Sequence, residues 1–448
     1  MELYTLPYKD KAIIYRPLQQ LAFIGNQAMV RLCAALSGKN ADNAGTETEA
    51  DFFLRTVGFF EEDTLPADST AVSDKFQPTV CVLFLTDACN LRCIYCYARG
   101  GGARETRALS LPLARAAVDT VCRNAMQQGR GHYSLCFHGG GEPTAAWPFL
   151  KDCVAYARKS PLRAKINLTS NGVWTEAQRV WILDNIDEIS LSFDGPPSIQ
   201  NAQRPRKNGK GSHASVERTL RALDRKGSAY GIRVTVTDET VARIPEIVDY
   251  LCRETGAPAF QVEPAFAHGR ARVDRVALQQ QDDFAEFFMK GYDIANRHQR
   301  HMYYSGARPW LLTNRFCDAY INALIVGPDG FLTACYEICN REHELAKDFI
   351  FGDLETNGSI RLTPGARQGF LAKIEERRQH CKSCFCFYHC AGDCPSKTFS
   401  GGADGHLAYG DRCESNRTIT RELLVRYIEE GGGVWQGRRG RFPCEDTV

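Results

Sequence analysis

The stretch CNLRCIYC places Cys89, Cys93 and Cys96 in the spacing C-x3-C-x2-C. Three thiolates can hold three irons of a 4Fe–4S cluster and leave the fourth iron open. An open iron can bind a substrate or cofactor, which a four-cysteine site cannot do. The competing reading is a zinc knuckle. Zinc favours paired C-x2-C units with two further ligands, a pairing that this stretch lacks.

Cysteines are also dense near the C-terminus. Nine fall between Cys317 and Cys413. Cys317, Gly330 and Cys335 are spaced C-x12-G-x4-C, and Cys339 follows in CYEIC. Cys381, Cys384, Cys390 and Cys394 are spaced C-x2-C-x5-C-x3-C, with Cys413 beyond and Cys386 as a spare. The whole chain has 19 cysteines, an odd number, grouped at short spacings. That pattern favours metal or cluster ligation over disulfides. Zinc held by the C-x2-C pair remains the alternative. Cys33, Cys81, Cys122, Cys136, Cys153, Cys252 and Cys444 read as ordinary thiols.

Other groups able to act on a ligand recur after predicted strands. HGGGEPT contains Gly140, Gly141 and Glu142, and glycines let a backbone approach a ligand closely. TSNG offers Ser170 and Asn171, either for ribose hydroxyls or for an Asx turn at a helix start. SFDG offers Ser192 and Asp194, and Arg204 follows ten residues on. A guanidinium suits a planar carboxylate, although Arg206 and Lys207 nearby also fit a solvated basic loop.

The elements that must position these groups are legible from periodicity. From Thr79 to about His298, short apolar strands alternate with amphipathic helices. VCVLFLT, YSLCFHG, AKINLTSNG, EISLSFDG, IRVTVT and AFQVEPAF each lead to a helical pattern. Six strand–helix units predict an α/β fold with a parallel sheet curled into a barrel or open barrel. In such folds chemistry sits at the C-terminal ends of the strands. Residues 1–75 read as a separate α+β unit: strands in LYTLPY, AIIYRPL and LAFIG, then helices in QAMVRLCAAL and EADFFLRTVGFF, with a polar loop GKNADNAGTETE between the helices. Beyond Arg315 the Gly- and Cys-rich sequence promises little apolar core of its own, so bound metal is expected to stabilise it. GGGVWQGRRGRF near the end reads as a mobile tail.

Together these motifs resemble the radical S-adenosylmethionine (SAM) enzymes. C-x3-C-x-aromatic-C after the first strand is that family's cluster motif, and the C-terminal pattern resembles the seven-cysteine SPASM domain. The resemblance covers residues ~80 to ~415. It implies a partial (β/α)6 TIM-like barrel over 76–304, a SPASM domain over 305–415, and a helix with a Gly/Arg-rich tail over 416–448. It also implies SAM and three 4Fe–4S clusters. SAM would chelate the open iron at Cys89, Cys93 and Cys96, and its reductive cleavage would yield a 5′-deoxyadenosyl radical. Gly140, Gly141 and Glu142 would meet the methionine amino group. Ser170 and Asn171 would face the ribose; Ser192 matches a ribose and carboxylate contact, and Asp194 a ribose or substrate contact. Arg204 would bind the carboxylate, and the backbone of Tyr95 would read the adenine. Cys317, Cys335 and Cys394 would ligate a first auxiliary cluster, with Cys339, Cys386 or a substrate thiolate as fourth ligand. Cys381, Cys384, Cys390 and Cys413 would ligate a second.

Relatives of this kind mostly modify peptides. The first reading is a maturase that crosslinks a ribosomally made precursor peptide through a thioether or C–C bond. The second is an anaerobic sulfatase-maturing, formylglycine-forming enzyme. Sulfatase-maturing relatives place a cysteine about six residues before the first SPASM cysteine, where this chain has Leu311. They also place an aspartate directly after the second, where this chain has Tyr336, with Glu337 one further on. The first departure leaves the fourth ligand of the first auxiliary cluster open, and the second favours crosslinking. The N-terminal unit resembles the winged-helix elements that capture leader peptides by strand addition; a structural cap on the barrel is the other reading. A non-enzymatic iron–sulfur carrier or a zinc-bound interaction module would explain the cysteines but not the motifs after strands two and four.

Charge and composition narrow the partners. The 448 residues are 44% hydrophobic and carry 55 basic and 53 acidic side chains, a net +2. That balance gives no broad attraction to nucleic acid or an anionic membrane. No apolar run reaches membrane-spanning length, and the N-terminus lacks a signal-peptide layout. The expectation is a cytoplasmic enzyme whose partners are a precursor peptide and an electron donor such as flavodoxin or ferredoxin.

Overall fold

The computed structural model describes residues 1–37, 48–66, 75–100, 106–278, 281–399 and 411–437. Three antiparallel strands open the chain: β1 (Tyr4–Tyr8), β2 (Lys11–Arg16) and β3 (Leu21–Gly25). Strand β2 is apolar on both faces and serves two cores. Ile14 packs with Phe23, Leu54 and Phe59 beneath the helices Gln27–Leu36 and Glu49–Thr56. Ile13 and Tyr15 join the main core instead. The second helix begins with a capping box, Thr48 and Asp51 each bonding the other's backbone N–H. The polar loop expected between these helices lies mostly outside the described residues.

The central sheet is built as its sequence periodicity requires. Strands β4 (Val80–Leu83), β5 (His132–Phe137), β6 (Arg163–Ser170), β7 (Glu188–Ser192), β8 (Tyr230–Val236) and β9 (Ala259–Pro264) are all parallel. In β6, Ala164, Ile166 and Leu168 are buried, while Lys165, Asn167 and Thr169 on the opposite face border a central cavity. The same alternation in β8 sets Ile232 and Val234 against Arg233 and Thr235. Helix ends between the strands are specified locally. Ser110 caps Leu111–Gln127, a Thr175–Gln178 capping box opens Glu176–Asn185, and Gly227 in the left-handed region closes His213–Lys226. A seventh parallel strand, β10 (His301–Tyr303), pairs with β9. At three residues it is too short to show a period.

The cysteine-rich region is not a separate layer. Strand β11 (Ala323–Val326) pairs in parallel with β4, and β12 (Phe331–Thr333), β13 (Ile350–Leu354) and β14 (Ile360–Leu362) follow antiparallel. One 11-stranded sheet therefore runs β10-β9-β8-β7-β6-β5-β4-β11-β12-β13-β14. This region, expected to have little apolar core of its own, packs into the barrel's core. Leu324, Val326, Leu332 and Phe349 are fully buried in the core that also holds Leu83 and Leu135. The region shares the barrel's core instead of building its own.

The chain end is also tied down. The helix Asp411–Glu430 meets Gln281–Arg297, where Arg426 pairs with Asp293 at 2.6 Å. Gly432 and Gly433 turn the chain with positive φ, and β15 (Val434–Gln436) then pairs antiparallel with β3. Trp435 is buried between Tyr15 and Tyr427, with centroids 6.4 and 5.4 Å away. Thus GGGVWQG is an ordered turn and strand, not a mobile tail; the residues after it lie outside those described. Among the described residues no helix is long and apolar enough to cross a membrane.

Candidate active site

Strand β4 delivers the chain to the three-cysteine loop, and the loops after β5 to β9 close around it. Cys89, Cys93 and Cys96 all border the central cavity, which measures about 1140 Å³. The Cys89 Sγ accepts from Leu91 N and the Cys96 Sγ from Gly100 N, both at 3.4 Å. Burial pushes the Cys89 thiol up to about 12 and Cys93 to about 11, and mutual repulsion with neighbouring cysteines adds to this. Thiols so buried stay protonated until a metal centre replaces the proton.

The GGGE loop braces this loop through its backbone. Gly141 N donates to Thr86 O at 2.7 Å and Glu142 N to Ala88 O at 2.8 Å. A Cβ on Gly141 would lie 1.9 Å from Ala88 O, so only glycine fits. Glu142 is buried, and burial raises its carboxyl. Its oxygens accept from Thr144 N and Oγ1, Ser170 Oγ and Asn171 N, at 2.7–3.2 Å.

Several groups expected to touch ligand are instead taken up by the protein. Ser170 Oγ donates to Glu142 and accepts from Gly172 N and Trp174 Nε1. Asn171 forms the Asx turn with Val173 N, and its amide donates to Asn90 Oδ1 at 2.7 Å. Both residues therefore hold the glutamate and the cysteine loop, leaving little capacity for ribose. Asp194 is fully buried, with its carboxylate filled by Thr235 N, Gln203 Nε2 and Tyr95 Oη. It does not border the cavity and is corrected from ligand contact to internal brace. Ser192 borders the cavity from the end of β7, where its backbone pairs with β8. Arg204 lies beside Cys93, donates to Tyr95 Oη at 2.7 Å, and keeps a buried Nε without a partner.

The C-terminal cysteines form two groups. Cys317, Cys335 and Cys394 act on one another electrostatically and all border the cavity. Cys381, Cys384, Cys390 and Cys413 are likewise mutual neighbours. Arg377 Nη2 reaches Cys413 Sγ at 3.7 Å, and Asn416 Nδ2 reaches Cys390 Sγ at 3.4 Å. Among the described residues no His, Cys, Asp or Glu groups converge tightly enough for a single metal ion. The two spare cysteines lie in different surroundings. Cys339 accepts from Gly140 N at 3.1 Å, and its thiol reaches Tyr336 O and Glu337 O at 3.4 Å, just past Cys335, in an apolar cluster that Cys317 also packs against. Cys386 sits with Cys384 and Cys390 in the second group, where its thiol hydrogen bond lowers the Cys384 pKa.

Sequence reasoning missed several residues that shape the site. Arg270 is buried and donates to Cys93 O at 2.6 Å and Gly100 O at 3.2 Å, fixing the cysteine loop from the far side. Arg233 projects into the cavity from β8 beside His138, at 3.4 Å. Burial and Arg233 together push His138 down to about 3, so it is neutral at pH 7. Glu337 is clasped by Lys397 Nζ at 2.6 and 2.8 Å and by Ser396 Oγ at 2.8 Å. Burial acts to raise its carboxyl, but Lys397 and His268 outweigh it and hold it at about 2. Burial alone decides these roles, and no spacing encodes it.

A three-thiol loop at the strand ends, braced by a GGGE loop and bordering a deep cavity, matches the model of the radical SAM superfamily over residues 83–251. Residues 83–251 are a radical SAM domain. Two curated relatives extend the likeness across most of the chain. The sporulation killing factor maturation protein SkfB of Bacillus subtilis is 26% identical over 309 residues, 66% of this chain and 69% of its own length. The serine-type anaerobic sulfatase-maturating enzyme of Klebsiella aerogenes is 26% identical over 334 residues, 70% of this chain and 79% of its own. Among solved structures, anSMEcpe with bound AdoMet and a Kp18Cys peptide superposes with a TM-score of 0.63 at 19% identity, covering 79% of this chain and 99% of that one. At that identity the likeness bears on fold. A radical SAM domain implies SAM and one 4Fe–4S cluster, and the residues present fit both. Three thiols without a fourth leave an iron open, while Ser192 and the orphaned Arg204 Nε leave polar groups beside it for a ligand.

Proposed function

We propose that this radical SAM enzyme is a peptide maturase. It takes a hydrogen atom from a ribosomally made precursor peptide and closes an oxidative thioether or C–C crosslink. One observation carries this reading: a single cavity is bordered by Cys89, Cys93 and Cys96 and also by Cys317, Cys335 and Cys394. A peptide in that cavity meets the hydrogen-abstracting site and an electron acceptor together. A net two-electron oxidation needs both.

Cys89, Cys93 and Cys96 hold the SAM-binding cluster, which with SAM supplies the 5′-deoxyadenosyl radical. Arg204 and Ser192 take the SAM carboxylate and ribose, and the backbone of Gly140 and Gly141 takes the amino end beside Glu142. Arg270, Asn171 and Glu142 keep the cysteine loop in register. Cys317, Cys335 and Cys394 hold a first auxiliary cluster and Cys381, Cys384, Cys390 and Cys413 a second. With Cys386 among the second group, the fourth position of the first cluster falls to Cys339 or to the substrate. Electrons enter from a flavodoxin or ferredoxin. The N-terminal unit binds the leader by strand addition. In the order β1-β2-β3-β15 the edges are β1 and the three-residue β15, and the longer β1 is the edge that takes the added strand.

The sulfatase-maturing reading has a relative of equal identity in its favour. The site disfavours it. Glu337 is the only acidic group within two residues after Cys335, and Lys397 holds it as an ion-paired, weakly basic carboxylate. Mass spectrometry of a co-expressed candidate precursor decides between the readings. A loss of about 2 Da per crosslink is expected. Formylglycine in a Cys- or Ser-bearing sulfatase peptide, with no crosslinked product, overturns the proposal.

A further inference from the structure

Arg233 meets no carboxylate among the described residues. It stands half-buried on β8, on the face that borders the cavity. Its one hydrogen bond goes to His138 Nε2, at 3.4 Å. A guanidinium only donates, so that nitrogen accepts and the neutral imidazole carries its proton on Nδ1. Nδ1 itself is buried and makes no bond. The ring therefore orients the guanidinium but returns no charge. The acid on the neighbouring strand is already engaged. Gln261, opposite Arg233 on β9, donates to Glu263 Oε1 at 3.0 Å, and Glu263 also accepts from Ser305 N at 2.8 Å and Ser305 Oγ at 3.0 Å. Other cations bordering the cavity have partners of their own. Lys165 pairs with Glu188 at 2.7 Å, Lys397 with Glu337 and Arg412 with Asp393 at 2.6 Å each, and Arg308 donates to Phe316 O at 3.0 Å.

Backbone pairing and ring packing set where this free cation lies. Arg233 is in register with Ser192 on β7, one of the groups assigned to SAM. His138 directly follows β5 and leads into Gly140 and Gly141. Its ring packs edge-to-face on Tyr336 with centroids 5.0 Å apart, and Tyr336 follows Cys335 and borders the cavity. A run of contacts thus leads from Arg233 through His138 to the first C-terminal cysteine group. An anion on the open side of the guanidinium lies where SAM and peptide must meet. A planar guanidinium takes a planar carboxylate through two parallel hydrogen bonds, which fixes orientation as well as position.

We propose that Arg233 is a specificity-determining residue that receives a carboxylate of the substrate peptide inside the cavity, with His138 holding the guanidinium in place. The peptide that this site selects carries an Asp or Glu side chain, or its own C-terminal carboxylate, close to the carbon that loses its hydrogen. Arg204 is assigned to the SAM carboxylate, so the two arginines sort the two anions. The inference rests on the reading of this protein as a peptide-modifying enzyme and adds to it a chemical mark in the substrate.

The test is a double-mutant cycle on the full-length, reconstituted enzyme. A co-expressed candidate precursor and a Cys-bearing sulfatase peptide are both offered, and the cycle is run on whichever the wild type modifies. Each Asp and Glu of that peptide is changed singly to Asn or Gln, and the C-terminus is amidated separately. With wild-type enzyme, one of these changes is expected to lower kcat/KM about tenfold or more. With Arg233→Met the same change is expected to cost nothing further, because the two ends of one contact are not additive. An internal position identifies a side chain, and the amide identifies the chain end. Arg233→Lys keeps the charge but not the paired bonds; it is expected to retain part of the coupling and replaces Arg233→Met in the cycle if that variant loses iron. Insensitivity of the wild type to every carboxylate change overturns the inference without any enzyme variant. Losses that add fully at every position also overturn it, as does a rise in the SAM KM larger than that in the peptide KM, which would make Arg233 a SAM contact. Modification of neither peptide by the wild type overturns the peptide reading and the inference with it.

Discussion

Gly141→Ala isolates the link between the GGGE loop and the cysteine loop. The new Cβ would lie 1.9 Å from Ala88 O and 2.6 Å from the carbonyl carbons of Ala88 and Asp87. A relaxed C···O contact is about 3.3 Å, so the two loops must separate by roughly 1.4 Å. These neighbours are backbone, not the end of a flexible side chain, so the shift is shared by both loops. It breaks Gly141 N–Thr86 O and Glu142 N–Ala88 O. Two backbone bonds at about 0.5–1.5 kcal/mol each, with an overpacking cost of about 1–3 kcal/mol, give a local penalty of roughly 2–6 kcal/mol. The auxiliary cysteines lie on other elements and are spared. The expected outcome is at least a tenfold loss of 5′-deoxyadenosine formation, with iron lost from the Cys89/Cys93/Cys96 site and retained at the others. Gly131→Ala is the control, since a Cβ there meets nothing within 4 Å. Wild-type SAM cleavage and iron content in Gly141→Ala would refute the bracing argument.

Cys93→Ala is expected to abolish SAM cleavage, whereas Cys384→Ala should spare part of the cleavage but block crosslinked product; full product from the Cys384 variant would disprove the electron-acceptor role. Asp194→Asn leaves Gln203 Nε2 facing an amide and removes a charge beside Arg204, so a rise in the SAM KM and a loss of roughly 1–3 kcal/mol in unfolding free energy are expected. Trp435→Ala empties the space between Tyr15 and Tyr427 and should cost about 3–5 kcal/mol. Limited proteolysis then reads whether β15 releases β3, with unchanged cleavage around 1–37 counting against the strap. Glu337→Gln removes the carboxylate that Lys397, 9% exposed, pairs with, at an expected loss of about 3–5 kcal/mol; a crosslinking rate that survives once the protein is folded would show that Glu337 is no base.

The parallel strands and their helices were legible because period-2 and period-3.6 patterns, caps and glycine stops agree with one another. The three-cysteine loop was legible because cysteine spacing is itself the signal, and the division of the C-terminal cysteines into two groups followed from the resemblance to the SPASM pattern. Side-chain assignments beyond the thiols were not. Ser170, Asn171 and Asp194 look in sequence like ligand-facing polar residues after strands, yet each is spent on holding another loop. Sequence position gives nearness to the site, not the direction in which a hydroxyl or carboxylate points. Arg270 and Arg308 fail for the opposite reason. HGRARVD and GARPW carry no spacing that marks a site, yet both side chains are buried. The short strands β10 and β15 lacked the length for any period to show.

Continuity of the sheet explains why the cavity can join two cysteine groups. Strand β11 pairs with β4, the strand that leads into the three-cysteine loop, so the SPASM-like segment extends the barrel's own sheet past its first strand. Cys317 precedes β11 and Cys335 follows β12, and both are thus fixed by backbone pairing to the strand that positions Cys89. A hinge between separate domains would let that spacing drift, and electron transfer and radical chemistry both depend steeply on distance and orientation. The shared core removes the hinge. Leu324, Val326 and Leu332 cannot leave without opening the same apolar cluster that supports Leu83 and Leu135. The spacing between the two cysteine groups is therefore as stable as the sheet they share, and mutations that loosen β11 against β4 should lower the unfolding free energy together with product formation.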